Sequence, residues 1–319
     1  MKKIGVLTSG GDAPGMNATI RSVVRTAICD GLEVVGFQRG FDGLINQVYR
    51  QLDVRMVGGI LEEGGTILRT MRSREFKTRD GLARAAQNLD ELGVDGLVVI
   101  GGDGSLRGAS ELDETWNGQV VGVPASIDND IGGSDLCIGF DTAVNTALES
   151  VDRIRDTATS HERLFIIEVM GRNSGHIALS VGLAVGAEEI LIPEVEYSVD
   201  NIVKRVGIAR SKGKLHYIII LAEGAGLGFK LADKLGEKSE MEIRVAVLGH
   251  IQRGGSPTAF DRIIGAKMGT YAVRTLVEGK TGICTGIRSG RRNLLGLKEA
   301  AAGKQISEEN LKLSRTLCI

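Results

Sequence analysis

Cysteine and proline are both scarce in this chain, with 4 of each among 319 residues. Cys29, Cys137, Cys284 and Cys318 lie far apart and form no CxxC pair. That reads as reduced thiols in a cytoplasm, with no structural zinc. Neither sign of charge is in excess, since the formal net charge is −1. The sequence therefore offers no electrostatic case for nucleic acid or a membrane surface. No apolar run approaches the length of a membrane span. The opening MKKIGVLTSGGD starts like a signal peptide, but its apolar run is short and Gly10-Gly11-Asp12 breaks it. It reads as a first strand. Two nucleotide fingerprints are missing as well. Gly279-Lys280-Thr281 imitates the end of a Walker A loop, but Arg274 stands where the leading glycine belongs. No GxGxxG follows the first strand, and no Pro/Ser-rich linker marks a domain boundary.

Glycine is abundant, at 45 residues, and much of it directly follows apolar runs. KIGVLTS runs into Gly10-Gly11-Asp12, and VDGLVVI into Gly101 to Ser105. QVVGVPA runs into Ser126 to Asp130, and LFIIEVM into Gly171 to Gly175. YIIILAE runs into Gly224, and VAVLGH into Ile251 to Gly255. Such runs read as strands buried on both faces, as in parallel sheets. Segments of helical period lie between them, at 17–29, 81–92, 143–155, 199–209 and 261–277. The alternation predicts α/β layers with parallel sheets. At this length and 42% apolar content, a soluble globular chain of two domains fits. Ligands of such folds bind beyond the carboxyl ends of the strands, where all six polar clusters fall. One shared site explains them together; a turn-only reading needs six separate reasons.

PASIDNDIGG, from Pro124 to Gly133, sets two acids one residue apart at the end of a core strand. Asp and Asn favour turns, which is one explanation. The other is a site in which one acid takes a proton and the other serves a metal or orients a ligand. Asp103, between glycines, suits either Mg2+ bound to phosphates or a helix N-cap. The turns SGGDAPGMN and GGDGS have the form that brings backbone N–H groups and a helix N-terminus to an anion. Arg72, Arg163, Arg172, Arg244 and Arg253 lie in or near these clusters, and their planar forks suit phosphate. Surface ion pairs are their alternative, and Arg72 with Arg74 also reads as a solvated loop. His250 stands beside Gln252 and Arg253 in a glycine-rich context.

LTSGGDAPGMNA, VVIGGDGS, SIDNDI, IRDTATSHER, EVMGR, LAEG and LGHIQRGGSPTAFDR match, in order and spacing, those of bacterial ATP-dependent 6-phosphofructokinase. The chain resembles that family from Lys2 almost to its end. The resemblance implies transfer of the γ-phosphate of ATP to the 1-hydroxyl of fructose 6-phosphate, a step of glycolysis, with Mg2+ as cofactor. Asp128 is then the general base, Asp103 the Mg2+ ligand, and Asp130 a support for the same region. Gly11, Gly102, Asp103, Gly104 and Ser105 cradle the nucleotide phosphates. Arg72 bridges to the transferring phosphoryl group beside Ser73, and Phe41 and Phe76 pack near adenine. Ser126, Met170, Gly171, Arg172, Glu223, His250 and Arg253 hold the sugar phosphate, with Arg172 also counted as catalytic. Arg163 and Arg244 reach its 6-phosphate from a neighbouring subunit, so a homotetramer is part of the site. The resemblance also implies two Rossmann-like three-layer α/β/α domains with mainly parallel sheets and the active site in the cleft between them. The larger, ATP-binding domain is 1–138 plus 252–303, and the smaller, fructose 6-phosphate-binding domain is 139–251 plus 304–319.

An effector site between subunits belongs to the same resemblance, with ADP or GDP as activator and phosphoenolpyruvate as inhibitor. Arg21 and Arg25, four apart on one helix face, match it. So do Arg155 at a helix end, Gly186 and Glu188, and Lys212 and Lys214 about Gly213. Glu188 would hold the Mg2+ of the diphosphate. Over 54–59 the family often has Arg and Asp; Arg55 substitutes for one and Gly59 for neither, which implies a weakened site. Other departures are Ala125 and Ser126 for Gly and Thr, His176 for Asp, Ser73 for a larger residue and Leu106 for Tyr. They leave room for a weakly catalytic paralogue that binds metabolites as a regulator. The pyrophosphate-dependent relatives typically carry Asp at the position of Gly104 and Lys at that of Ala125; the small residues here favour ATP.

Overall fold

The computed structural model describes residues 1–238 and 242–318. In chain order the elements begin β1 (Lys3–Ser9), α1 (Met16–Cys29), β2 (Glu33–Phe37), α2 (Phe41–Ile45) and β3 (Tyr49–Leu52). They continue with α3 (Arg79–Glu91), β4 (Gly96–Gly101), α4 (Asp103–Asp113), β5 (Gln119–Pro124) and α5 (Phe140–His161). Then come β6 (Leu164–Val169), α6 (His176–Val185), β7 (Glu189–Leu191), α7 (Val199–Ser211), β8 (Tyr217–Ala222) and α8 (Gly228–Gly236). The last are β9 (Ile243–Val247), α9 (Ala259–Val277), β10 (Ile283–Arg288), β11 (Arg291–Gly296), α10 (Leu297–Ala300) and α11 (Glu308–Leu317). Two compact units result: Met1–Thr142 with Arg253–Lys304, and Ala143–Gln252 with Gln305–Ile319.

The first unit is built on a seven-stranded sheet in the order β11-β10-β5-β4-β1-β2-β3. Its inner strands are parallel, while β2–β3 and β10–β11 pair antiparallel at the edges. Leu7, Val35, Phe37, Leu97, Val99 and Val120 bury one face against α2, α3, α4 and α10. The helices α1 and α9 pack together and against the strands of the sheet. Their close approach needs a glycine, because a Cβ at Gly269 would stand 2.7 Å from Thr19 O. Large apolar surfaces covered on both faces supply the main stabilisation of such layers.

The second unit carries a parallel sheet in the order β7-β8-β6-β9. Leu164, Ile166, Ile219 and Leu221 pack against Ile202 and Val206 of α7 and Leu231 and Leu235 of α8. The helices α6 and α11 lie together, α6 against β7 and β8. Both units are therefore α/β, with mostly parallel sheets.

Two sequence expectations are corrected here. The helix expected over 143–155 runs from Phe140 to His161, so Arg155 lies inside it rather than at its end. Nothing in DTATSH is a glycine or proline that would stop it. The run VAVLGH is not a strand buried on both faces. β9 starts earlier, at Ile243, and sits at the sheet edge with partly exposed side chains.

Candidate functional site

In the first unit β1 and β4 are neighbours, with Ser9 beside Gly101. The chain leaves β1 toward β2 on one side and returns to β4 and β5 on the other. A reversal of this kind leaves a crevice at the strand ends where open α/β sheets bind ligands. Excluded volume sets the turns there. A Cβ at Gly101 would stand 2.4 Å from Ser9 O and 2.6 Å from Ser105 Oγ. Gly10 has φ +88°, and its Cβ would meet the same Ser105 Oγ at 3.0 Å. Gly104, three residues on, has nothing within 4 Å of its would-be Cβ. Gly102 is the N-cap of α4 and Asp103 its first residue, so the N-cap alternative for Asp103 does not hold. Asp103 pairs with Arg107 one turn later and stands at the positive end of the helix.

Other residues singled out by the sequence surround these turns. Thr70 Oγ1 donates to Gly10 O at 2.7 Å, which seats the loop bearing Arg72 and Ser73. Arg72 is exposed, and Ser73 Oγ accepts from Phe76 N at 3.2 Å. Phe41 and Phe76 stack on each other, 3.8 Å between centroids. They are only 5% and 3% exposed. A Cβ at Gly11 would meet Arg253 Nη1 at 2.4 Å, and that nitrogen donates to Asp12 O at 3.3 Å. The Arg253 guanidinium thus lies over the first glycine turn.

Beyond β5 the chain makes a compact loop. Ser126 Oγ donates to Asp130 Oδ1 at 3.2 Å and accepts from Asp128 N at 3.3 Å. Asn129 has φ +52°, the left-handed well that Asn enters more readily than most residues. Its Oδ1 accepts from Cys137 N at 2.9 Å. Asp128 is 3% exposed, so its carboxylate is held within protein rather than free in water.

In the second unit, the turn after β6 is pinned by Glu223. Its Oε1 accepts from Gly171 N at 3.2 Å and Arg172 N at 2.8 Å. Gly171 has φ +139°, and a Cβ there would meet Ser174 O at 2.4 Å. Met170 N donates to Oε1 of the wholly buried Gln252 at 2.9 Å. Arg172 and His250 are exposed. Arg163 and Arg244 share one acid: Arg163 Nε donates to Glu242 Oε2 at 2.7 Å, and Arg244 pairs with Glu242 Oε1. The hydrogen bond from Arg163, chiefly, holds the Glu242 carboxyl below its usual range.

The residues matched to an effector site are distributed over both units. Arg21 and Arg25 lie on α1, and Arg55 follows Asp53, whose Oδ1 accepts from Arg55 N at 2.7 Å. In the second unit Arg155 donates to Val185 O, beside Gly186, which caps α6 at φ +63°. Glu188 is 6% exposed. Its Oε2 accepts from Ile218 N at 2.6 Å and its Oε1 pairs with Lys214 Nζ at 2.7 Å. Lys212 caps α7.

Sequence reasoning missed Asp261. It is 0% exposed. Its oxygens accept from Gly139 N and Thr142 N, each at 2.8 Å, and from Thr142 Oγ1. Burial raises its pKa above the ordinary 3.8. No local pattern signals a partner more than a hundred residues away.

A model of the phosphofructokinase family matches residues 3–276. A protein of Bacillus pumilus named ATP-dependent 6-phosphofructokinase is 52% identical over 320 residues, which cover 100% of both chains. The crystal structure of Pichia pastoris phosphofructokinase in the T-state is similar with a TM-score of 0.90 and 35% identity. The match covers 99% of this chain and 38% of that one, so this chain spans well under half of the Pichia chain. A pyrophosphate-dependent phosphofructokinase from Marinobacter aquaeolei shares the fold, with a TM-score of 0.84 and 22% identity over 100% of this chain and 92% of that one. With a family model over most of its length and a relative this similar from end to end, the chain belongs to the phosphofructokinase family.

Proposed function

We infer that this protein transfers the γ-phosphate of ATP to the 1-hydroxyl of fructose 6-phosphate, giving fructose 1,6-bisphosphate and ADP. End-to-end similarity to an ATP-dependent 6-phosphofructokinase carries this reading. The buried Asp128, held in the loop beyond β5, supports it. Phosphoryl transfer asks for positioning and charge neutralisation more than covalent chemistry. Asp128 accepts the proton of the 1-hydroxyl, while Ser126 and Asp130 orient the acceptor. Gly11 and the turn 102–105 receive the nucleotide phosphates at the N-terminus of α4. Met170, Gly171, Arg172, Glu223, His250 and Arg253 hold the sugar phosphate, and Arg163 and Arg244 serve its 6-phosphate in a homotetramer. The first unit is the ATP-binding domain and the second the fructose 6-phosphate-binding domain.

Asp103 would hold Mg2+. Its hard oxygen donors suit that ion, and it stands between glycines with open space at Gly104. Bound there, Mg2+ supplies charge neutralisation on the phosphates. The same open space at Gly104, with the small Ala125, supports ATP over pyrophosphate. No described helix is long and apolar enough to cross a membrane, and we place the protein in cytoplasmic glycolysis.

A coupled assay with ATP, Mg2+ and fructose 6-phosphate tests the reading. Turnover with pyrophosphate alone would reassign the donor; substrate binding without turnover would leave a metabolite-binding regulator. Regulation by ADP or GDP and by phosphoenolpyruvate is part of the proposal, through Arg21, Arg25, Arg55, Arg155, Gly186, Glu188, Lys212 and Lys214. Allostery needs different effector affinities in two states, so Arg21→Ala/Arg25→Ala should erase the response and spare the maximal rate.

A further inference from the structure

The loop that carries Asp128 is fastened by a late stretch of the chain. Gly132 N donates to Ala300 O at 2.9 Å, and Asn293 Nδ2 donates to Gly133 O at 2.8 Å. Asp135 N donates to Ile287 O at 2.8 Å, and Ser289 N to Asp135 Oδ2 at 2.6 Å. Lys304 completes the set. Its ammonium donates to Asp135 O and lies 3.5 Å from Asn129 Oδ1.

Lys304 is half-buried, and desolvation holds its pKa below the ordinary 10.5. An ammonium taken from water needs polar partners, and both of these belong to the Asp128 loop. Burial is the main influence on the Cys137 thiol and pushes its pKa up, but Lys304, Asp130 and Asp128 all lie within electrostatic reach of it. Asn129 is the link between them. It stands next to Asp128 in a left-handed conformation, with its Oδ1 shared between Cys137 N and the lysine. A carbonyl oxygen has two lone pairs, so both contacts are compatible.

We propose that Lys304 is a positioning residue for the proton-accepting carboxylate, acting through Asn129 to hold the Asp128 loop in its productive conformation. This rests on the reading of Asp128 as the base. The test uses the full chain with ATP, Mg2+ and fructose 6-phosphate, in wild type and in Lys304→Met, Lys304→Gln, Lys304→Arg and Asn129→Gly variants. Loss of the ammonium should lower kcat roughly 10- to 100-fold, the scale of a displacement of about 1 Å in a reacting group. Both KM values should stay within about threefold, since an effect on kcat alone marks an interaction of the transition state. Lys304→Arg should recover most of the rate. Asn129→Gly keeps the left-handed conformation accessible but deletes the oxygen. Adding Lys304→Met to it should then cost less than about twofold, because contacting residues that share one route are not additive. Melting temperatures identify any variant that fails to fold; either neutral substitution suffices. An unchanged kcat in the folded neutral variants, an equal loss in both backgrounds, or a loss confined to KM would overturn the proposal. Asp128→Asn serves as the control: near-normal turnover in that variant would remove the base itself, and this proposal with it.

Discussion

The turn after β4 in the first unit and the loops of the second are set by different combinations of contact and acceptor. In the first, the turn after β4 follows from excluded volume: Gly101 has Ser9 O and Ser105 Oγ where a side chain would begin. In the second, among the described residues, glutamates accept backbone N–H groups at the ends of elements. Glu223 takes Gly171 N and Arg172 N, Glu194 takes Gly175 N at 2.9 Å, Glu168 takes Gly228 N at 2.7 Å and Glu188 takes Ile218 N. A loop shaped by contact tolerates no added atom. A loop fastened by an acceptor also loses its course when the acceptor goes, and Gly171, Gly175 and Gly228, which donate to these glutamates, are themselves too crowded for a side chain. The first kind suits phosphates that must come close to backbone; the second gives exposed side chains such as Arg172 a fixed root.

Substitutions should separate these modes. The largest effect falls on neither, but on the chemistry they position. Asp128→Asn keeps the shape and removes the proposed base, and should lower kcat by roughly 10²–10⁴ with little change in KM. Steady-state rates check this, and a near-normal kcat would sink the assignment. The comparison itself is broken at Gly101. Gly101→Ala inserts a methyl against a carbonyl and should cost about 1–3 kcal/mol of stability, read by denaturant unfolding. Gly104→Asp should fold with stability within about 0.5 kcal/mol of wild type, as for surface sites without special features, yet lose ATP affinity. If both glycine variants lose stability equally, the distinction between a glycine the fold needs and one the ligand needs fails.

For the second unit, Glu223→Ala should raise KM for fructose 6-phosphate about tenfold, the scale of one charge-assisted hydrogen bond. KM for ATP should hold, and Glu223→Gln, which keeps an accepting oxygen, should recover most of the loss. The smallest effect concerns Asp261, an acceptor of the second kind inside the first unit. Its folded pKa is raised above 3.8 by burial. At lower pH it is protonated folded and unfolded alike. As pH rises from about 3.8 through the raised folded value, the unfolded chain gives up its proton first, so stability falls. Subtracting the Asp261→Asn unfolding profile from that of wild type should leave a curve descending with pH over that window. A flat difference would remove the argument.

The strands β1, β4, β5, β6 and β8 were legible because burial on both faces leaves little choice of residue: KIGVLTS is β1, residue for residue. The interior strands β2 and β10 went unread, and edge strands were read in part or not at all. The sequence of β11, RRNLLG, is half polar, and β9 pairs with β6 alone among the described strands. The helix α4 went unread because Gly and Ser thin its apolar stripe, although it begins inside the GGDGS cluster. The placing of polar clusters at strand ends could be read for the same reason as the strands. Contacts across more than a hundred residues, such as Asp261 with Thr142 or Lys304 with Asn129, could not. Nor did a resemblance reveal that Phe41 and Phe76 stack on one another.

The pairing of β5 with β10 has a consequence for how the chain is made. One strand is translated at 119–124 and its partner only at 283–288. Through the intervening synthesis β5 is an edge, apolar on both faces, of the sort that recruits other chains. The whole of 143–252 can emerge meanwhile and begin to fold as its own unit. The loop of Asp128 waits for Ile287, Asn293 and Ala300 before its backbone groups are satisfied. A ribosome that stops short of residue 283 releases a polypeptide that contains Asp128 yet no ordered loop to present it. Such a product is a substrate for chaperones and proteases rather than a slow enzyme.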